Sequence, residues 1–255
     1  MIDIHCHILP AVDDGADDMA ETLDMCRLAL EDGVTAVFAT PHLFNGMFAT
    51  DRDSITAAYH DVTAALTAQG IPINLYLGSD LHLTPHILDQ LKGEEALTLN
   101  GGRYFLLEPS FRLLPPNLGE AVYALISEGF VPIITHPERN DQFLRREERL
   151  LELLGLGALC QITAMSVTGE FGQACQQFSR KLMEAGAVHF IASDAHSAGW
   201  RRPGMAAALE VAEGLMGAEN ARKLVLDHPR AVVNDLPIET AEVTHLPRRR
   251  KFWFF

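Results

Sequence analysis

The chain has 255 residues, 48% of them hydrophobic and 21% charged, with a formal net charge of −14. That length and apolar share suit one large core, and the negative balance argues against a sequence-independent grip on nucleic acid, which needs Lys and Arg to neutralise phosphates. The four Cys lack the close pairing of a zinc knuckle or redox motif; with no basic-then-apolar leader and no apolar run of the ~18 residues a membrane span needs, a cytoplasmic protein with reduced thiols is expected.

Short runs rich in Val, Ile, Leu and Phe predict strands near 2–5, 34–39, 72–77, 103–107, 130–135, 158–162 and 188–192. Helical spacing predicts helices over 18–32, 52–69, 84–91, 117–128, 144–155, 173–186 and 204–216. Gly33, Gly70, Gly129 and Gly186 stand just past predicted helices, where a left-handed cap residue belongs. The alternation reads as parallel βα units and suggests an α/β fold of (β/α)7 barrel type. No linker or repeat divides the chain, so one domain is expected over 1–240, followed by a basic and aromatic tail at 241–255.

The strand ends carry the functional signal. His5 and His7 stand at the end of the first strand, spaced so that an extended chain puts both on one face. His42 follows the second strand, Asp80 the third, Glu108 the fourth, His136 the fifth, and Asp194 and His196 the seventh; the sixth breaks the series with Gln161. In a parallel barrel all these ends open on one mouth, where active sites are built. Five His and three carboxylates, plus Asp13 or Asp14 on the first loop, exceed what one four-coordinate ion needs, so two or three divalent ions are expected. Mixed imidazole and carboxylate ligation suits Mn, Fe or Zn. Closely spaced ions can activate water and stabilise in-line displacement at phosphorus, which makes phosphoester hydrolysis the natural reaction class. Arg139, three residues after His136, and the pair Arg201 and Arg202 after His196 are candidates to bind phosphate. A cysteine phosphatase would need an Arg six positions after its Cys, and Val12, Asp32, Ser166 and Lys181 stand there instead.

Asp3-Ile4-His5-Cys6-His7-Ile8-Leu9-Pro10 leading to Asp13-Asp14-Gly15, then Ala39-Thr40-Pro41-His42, Thr135-His136-Pro137-Glu138-Arg139 and Ser193-Asp194-Ala195-His196, together resemble the PHP (polymerase and histidinol phosphatase) superfamily. Within it they look like the manganese-dependent protein-tyrosine phosphatases of bacterial capsule and exopolysaccharide gene clusters, over residues 1 to about 236. The resemblance implies a distorted (β/α)7 TIM-like barrel with three divalent ions, Mn before Fe or Zn. By matching motifs, His5, His7 and Asp194 would hold one ion, Glu108 and His136 a second, and Asp14, His42 and His196 a third. Asp80 would bridge the first two, at a position where the family usually carries Glu. Arg139 and Arg201 match the phosphate-binding arginines, with Arg202 one position away. The implied reaction is attack of a metal-bridging hydroxide on phosphotyrosine, the leaving phenolate taking its proton from water, His42 or Asp194. The implied partner is the tyrosine-rich tail of a bacterial tyrosine kinase that controls polysaccharide export.

Two loops should border the mouth, one from Leu43 to Phe48 and one from Pro109 to Pro115, and their Phe44 and Phe111 could flank a phosphotyrosine ring. His60, His82, His86, His189, His228 and His245 match no strand-end position and are read as structural or solvated. The tail from Arg248 to Phe255 is a basic cluster ahead of four aromatics, able to touch anionic lipid or a membrane-bound kinase, or to pack on a neighbouring subunit. Histidinol phosphate or another small phosphomonoester is the rival substrate, and a phosphotyrosine-binding protein without catalysis the rival role. An amidohydrolase shares the opening His-x-His but commonly carries Lys where Glu108 stands. The sequence sets no oligomeric state.

Overall fold

Short βα units with apolar strands fold as parallel sheet wrapped by helices, because strands buried on both faces must be covered on both. The computed structural model describes residues 1–111, 113–241 and 243–247. In chain order the elements are β1 (Ile2–Cys6), α1 (Met19–Glu31), β2 (Ala36–Ala39), β3 (His42–Leu43), α2 (Arg52–Gln69), β4 (Asn74–Leu77), β5 (Asp80–His82), α3 (Ile87–Lys92), β6 (Tyr104–Glu108), α4 (Leu118–Ser127) and β7 (Val131–Thr135). They continue with α5 (Asp141–Arg145), α6 (Glu147–Gly155), β8 (Leu159–Thr163), α7 (Ala164–Thr168), α8 (Gln173–Glu184), β9 (Phe190–Ala192), α9 (Ala206–Met216), α10 (Ala218–Arg222) and α11 (His228–Val233).

All strand pairs are parallel, in two sheets ordered β1-β2-β4 and β3-β5-β6-β7-β8-β9. Two short strands, β3 and β5, were not predicted and follow the second and third predicted strands. The second ends before Thr40-Pro41, where Pro41 has no N–H to give, and Ala36–Ala39 pairs in one sheet while His42–Leu43 pairs in the other. The third ends at Leu77, and Asp80–His82 joins the other sheet after Gly78-Ser79, where a Cβ on Gly78 would crowd Leu99 Cδ2 at 2.6 Å. At the other seam, β1 meets the segment after β9: Asp194 N donates to His5 O at 2.9 Å and His7 N to Ala195 O at 2.8 Å.

One apolar cluster fills the space between strands, with Ile4, Phe38, Leu106, Ile133 and Phe190 fully buried. Each such side chain contributes about 1.5–3 kcal/mol of burial free energy. The larger cluster lies between sheet and helices and includes Met25, Val37, Ile55, Phe105, Phe143 and Leu182. Period-two alternation carries each strand from the inner cluster to the mouth: Leu106 precedes Glu108, Leu159 precedes Gln161, and Ala192 precedes Asp194. In β1 the register slips between Asp3 and Cys6, as at a bulge, which lets Ile2 and Ile4 join the inner cluster while His5 and His7 serve the mouth.

The predicted helix over 144–155 is two helices. The Asn140 side chain accepts from the N–H groups of Gln142 at 2.9 Å and Phe143 at 3.3 Å and starts α5 three residues early. The chain then leaves helical geometry at Arg146 (φ −135, ψ 69) before α6. Short α7, α10 and α11 were not predicted, being too brief for a periodic signal. Past residue 240, Leu246 is still buried against the larger cluster. The basic and aromatic end, 248–255, lies outside the described residues. Among the described residues no helix is long and apolar enough to cross a membrane.

Candidate metal centre

The strand ends converge as their spacing requires. His5 Nε2 and His7 Nε2 lie 3.1 Å apart, and Asp194 Oδ1 is 3.5 Å from the first and 3.6 Å from the second. Asp80 Oδ2 stands between two groups, 3.7 Å from His5 Nε2 and 3.3 Å from His42 Nδ1. Glu108 continues the cluster, 3.6 Å from His42 Nδ1 and 3.7 Å from His136 Nε2. Asp14 Oδ1, half exposed on the first loop, is 3.7 Å from His42 Nε2 and 3.5 Å from His196 Nε2. All nine residues singled out as metal ligands thus meet in one place.

Among the described residues, three groups hold ligand atoms within 4.8 Å of one another: His7, Asp14, His42 and His196; His5, His7 and Asp80; and His42, Asp80 and Glu108. The polar accounting favours cations. Asp80 Oδ1 is buried without a hydrogen-bond partner, and Asp80 Oδ2 and His42 Nδ1 face each other at 3.3 Å as a buried ion pair that makes no hydrogen bond, a costly state for protein alone. Divalent ions would satisfy all three atoms, so the residues fit them. Burial pushes His136 down to about 3, with Arg139 adding to the effect, and pushes His7 well below the usual imidazole range, helped by His196, His42 and His5. Neutral imidazoles are the form that binds metal. Burial works against charge at His42 too, but Asp80, Glu108 and Asp13 outweigh it and hold its pKa up at about 9.

Supporting residues fix the ligands' orientation. Asp13, not Asp14, receives His7 Nδ1–H at 2.6 Å, which turns Nε2 toward the cluster, and its carboxylate also accepts from His42 N at 2.8 Å and Gly15 N at 3.0 Å. Gly15 permits this fold of the loop: a Cβ there would lie 2.1 Å from the His7 carbonyl oxygen. Gln161, the apparent gap in the series, holds His5 Nδ1 through Oε1 at 3.0 Å. Asp3 accepts from His5 N at 3.2 Å and from both the N–H and hydroxyl of Ser193, tying β1 to the Asp194 segment. His136 (φ 33) and Asp194 (φ 52) sit in the left-handed region, which costs a non-glycine residue about 1–3 kcal/mol and aims each side chain inward.

The guanidinium groups of Arg139 and Arg201 both grip Asp194 Oδ2, Arg201 at 2.7 Å. Burial opposes ionisation of Asp194, but His5, Arg201, His136 and Arg139 hold its carboxyl well below the usual range. A cavity of about 430 Å³ opens over the cluster, lined by ligand residues, both arginines, Met47, His82 and Phe111. Phe111 stacks on His136 with ring centres 5.2 Å apart and planes 9° from parallel.

The family model for capsular polysaccharide synthesis proteins, CpsB/CapC, matches residues 1–234. This chain belongs to the CpsB/CapC family. It is 34% identical over 255 residues to the tyrosine-protein phosphatase YwqE of Bacillus subtilis (strain 168), spanning 100% of both chains. The tyrosine-protein phosphatase CpsB of Streptococcus pneumoniae is 30% identical over 240 residues, 92% of this chain and 99% of the other. A solved structure from a study of YwqE and CpsB, described there as unique metal-dependent tyrosine phosphatases, matches with a TM-score of 0.93 at 33% identity, covering 97% of this chain and 100% of that one. A β-aspartyl dipeptidase of Fervidobacterium islandicum, at 16% identity and a TM-score of 0.54 over 96% of this chain and 76% of that one, shares the fold alone.

In this CpsB/CapC chain several placements differ from the sequence reading. Phe44 turns through positive φ (67) and packs against the larger core cluster, while Phe48 stacks on His42 at 6.0 Å with planes 3° apart. Arg202 lines a different cavity with Trp200, Glu31 and Asp32. His82, read as structural or solvated, lines the mouth, its Nδ1 3.5 Å from Glu108 Oε2. The signal was present: Asp80-x-His82 repeats the spacing of His5-x-His7, but with the third strand ending at 77 no strand was expected under it. The four cysteines are free, and burial raises the Cys6 and Cys160 thiols well above their ordinary value and Cys26 to about 12. None offers a thiolate nucleophile.

Proposed function

We propose that this chain is a metal-dependent protein-tyrosine phosphatase that removes phosphate from the tyrosine-rich tail of a bacterial tyrosine kinase in capsular or exopolysaccharide synthesis. The observation that carries the reading is the meeting of nine candidate metal-ligand residues and two arginines around buried Asp80, whose carboxylate makes no hydrogen bond, and the shared Asp194. The names of the family's characterised members agree with it.

His5, His7 and Asp194 would hold one ion, Glu108 and His136 a second, and Asp14, His42 and His196 a third, with Asp80 reaching between the first two. Divalent ions, Mn before Fe or Zn, supply activation of water and neutralisation of phosphoryl charge when bound. The protein's own part is placement. Arg139 and Arg201 offer planar N–H forks to the phosphoryl oxygens. Ionised Asp194 orients both forks and gives up no proton at neutral pH. His42 is engaged as a ligand, so the leaving phenolate takes its proton from water at the open mouth. Phe111 and Phe48, stacked on ligand imidazoles, flank the path of a tyrosyl ring. The kinase partner implies a cytoplasmic location, and the basic and aromatic residues 248–255 would meet anionic lipid beside it.

A substrate panel tests the reading. Metal-replete protein should release phosphate from a phosphotyrosine peptide at least tenfold faster than from histidinol phosphate or a phosphoserine peptide. Preference for histidinol phosphate would overturn the substrate while leaving the metal centre standing.

A further inference from the structure

The segment between α7 and α8, Gly169-Glu170-Phe171-Gly172, carries none of the candidate metal ligands, yet its Phe171 reaches the arginines of the site. Both glycines adopt positive φ, 98 and 92, and Gly172 N donates to Gly169 O at 2.9 Å while Phe171 N donates to Met165 O at 3.3 Å. A side chain at Gly169 would meet Gln176 Nε2 at 2.8 Å, and that amide in turn ties α8 to Thr168 O at 3.1 Å. The tight turn is thus anchored at both ends. What it presents is the half-buried ring of Phe171.

That ring faces both arginines. Arg139 Cζ lies 4.6 Å from the Phe171 ring centre and Arg201 Cζ 6.0 Å. Phe111 is also in contact with Arg139, at 5.3 Å. Arg139 thus has two aromatic partners, while its Nη1 edge meets Asp194. A guanidinium stacked by its face keeps its edges free for phosphate oxygens. Phe111 also lines the cavity and could touch substrate directly, but Phe171 is not among the lining residues. The contacts Phe171 makes toward the site are with the two arginines, so its effect on turnover is read through them.

We infer that Phe171 is a positioning residue that holds Arg139, and more loosely Arg201, in the geometry that receives the phosphoryl group. The inference rests on the reading that these arginines bind phosphate. It assigns a function to a turn that no metal or substrate contact would single out.

The test uses full-length, metal-replete protein with Phe171→Leu, Phe171→Tyr, Arg139→Ala and the double variant Phe171→Leu/Arg139→Ala. Phe171→Leu should raise both KM for a phosphotyrosine peptide and the inhibition constant of inorganic phosphate about 3- to 10-fold, with Mn affinity unchanged. Phe171→Tyr, which keeps the π face, should return both to within about twofold of wild type. In the Arg139→Ala background the added Phe171→Leu change should cost less than about twofold, because its target is gone. The inference is overturned by unchanged KM and phosphate affinity in Phe171→Leu, by an equal loss in the Arg139→Ala background, or by Phe171→Tyr failing as badly as Phe171→Leu. If wild-type protein hydrolyses no phosphotyrosine, the functional reading fails separately, and direct binding of inorganic phosphate decides the role of Phe171 alone.

Discussion

Removing the Asp13 carboxylate tests how far the candidate metal centre depends on a residue that holds His7 in place. Its Oδ2 sits 2.6 Å from His7 Nδ1 and 2.8 Å from the His42 backbone N–H, and its Oδ1 3.0 Å from Gly15 N. Asp13→Ala leaves His7 free to rotate or to change tautomer and loosens the turn that carries Asp14. A hydrogen bond to a charged group is worth about 1.5–3 kcal/mol, and loss of a carboxylate behind a metal-binding imidazole typically costs about 10–100-fold in metal affinity. The two ranges agree, so Mn dissociation should weaken about 10–100-fold. Asp13→Asn keeps an acceptor for His7 Nδ1–H but loses the charge, and should fall between wild type and Asp13→Ala, about 3–10-fold weaker. Competition for Mn against a chelator of known affinity measures both, with circular dichroism confirming the fold. Affinity and turnover within twofold of wild type in Asp13→Ala would refute the claim that this contact orients His7.

Gly15→Ala should be more damaging than its size suggests, since the new Cβ would lie 2.1 Å from His7 O and the backbone must move. An overpacking cost of about 1–3 kcal/mol lowers the melting temperature by roughly 2–12 °C and displaces Asp13 and Asp14 together; an unchanged melting temperature with wild-type Mn affinity would contradict the close approach. Metal binding should also depend on pH through His42. Its pKa, held at about 9, keeps it protonated at pH 7 in metal-free protein, so an arriving cation must expel that proton. Affinity should therefore rise with pH by about tenfold per unit for one proton displaced and flatten above about 9. Calorimetry in buffers of different ionisation enthalpy at pH 7 should register the released proton, and its absence would remove His42 from the ligand set.

The ligand residues were legible because a parallel fold maps a one-dimensional pattern, polar residue after apolar run, onto one face of the molecule. Any chain with His42, Asp80, Glu108, His136 and Asp194 at such positions must bring them together once the strands pair in order. What escaped notice depends on breaks and on three-dimensional neighbours. The strands beyond Pro41 and Gly78, only two and three residues long, give no apolar run to read, so His82 looked like a residue in passing rather than a second side chain on the Asp80 face. Gln161 looked like a gap because its role is defined by His5, 156 positions away. Asp13 and Asp14 differ only in which side of a tight turn they occupy, and that is set by Gly15 lying against His7. Phe44 and Phe48 lie on one loop with nothing in the sequence to tell them apart, yet positive φ at Phe44 packs it against the core and Phe48 stacks on His42. Phe171 had no signal at all, since a ring that acts on an arginine from behind looks in sequence like any partly buried aromatic.

The most direct measurement is a titration of Mn into metal-stripped protein, following bound metal per chain and phosphate release from a phosphotyrosine peptide in the same samples, with His7→Ala alongside. The account predicts no turnover in stripped protein, activity that grows with metal bound, and loss of both in His7→Ala. Full turnover without metal, or undiminished metal binding and activity in His7→Ala, would contradict it.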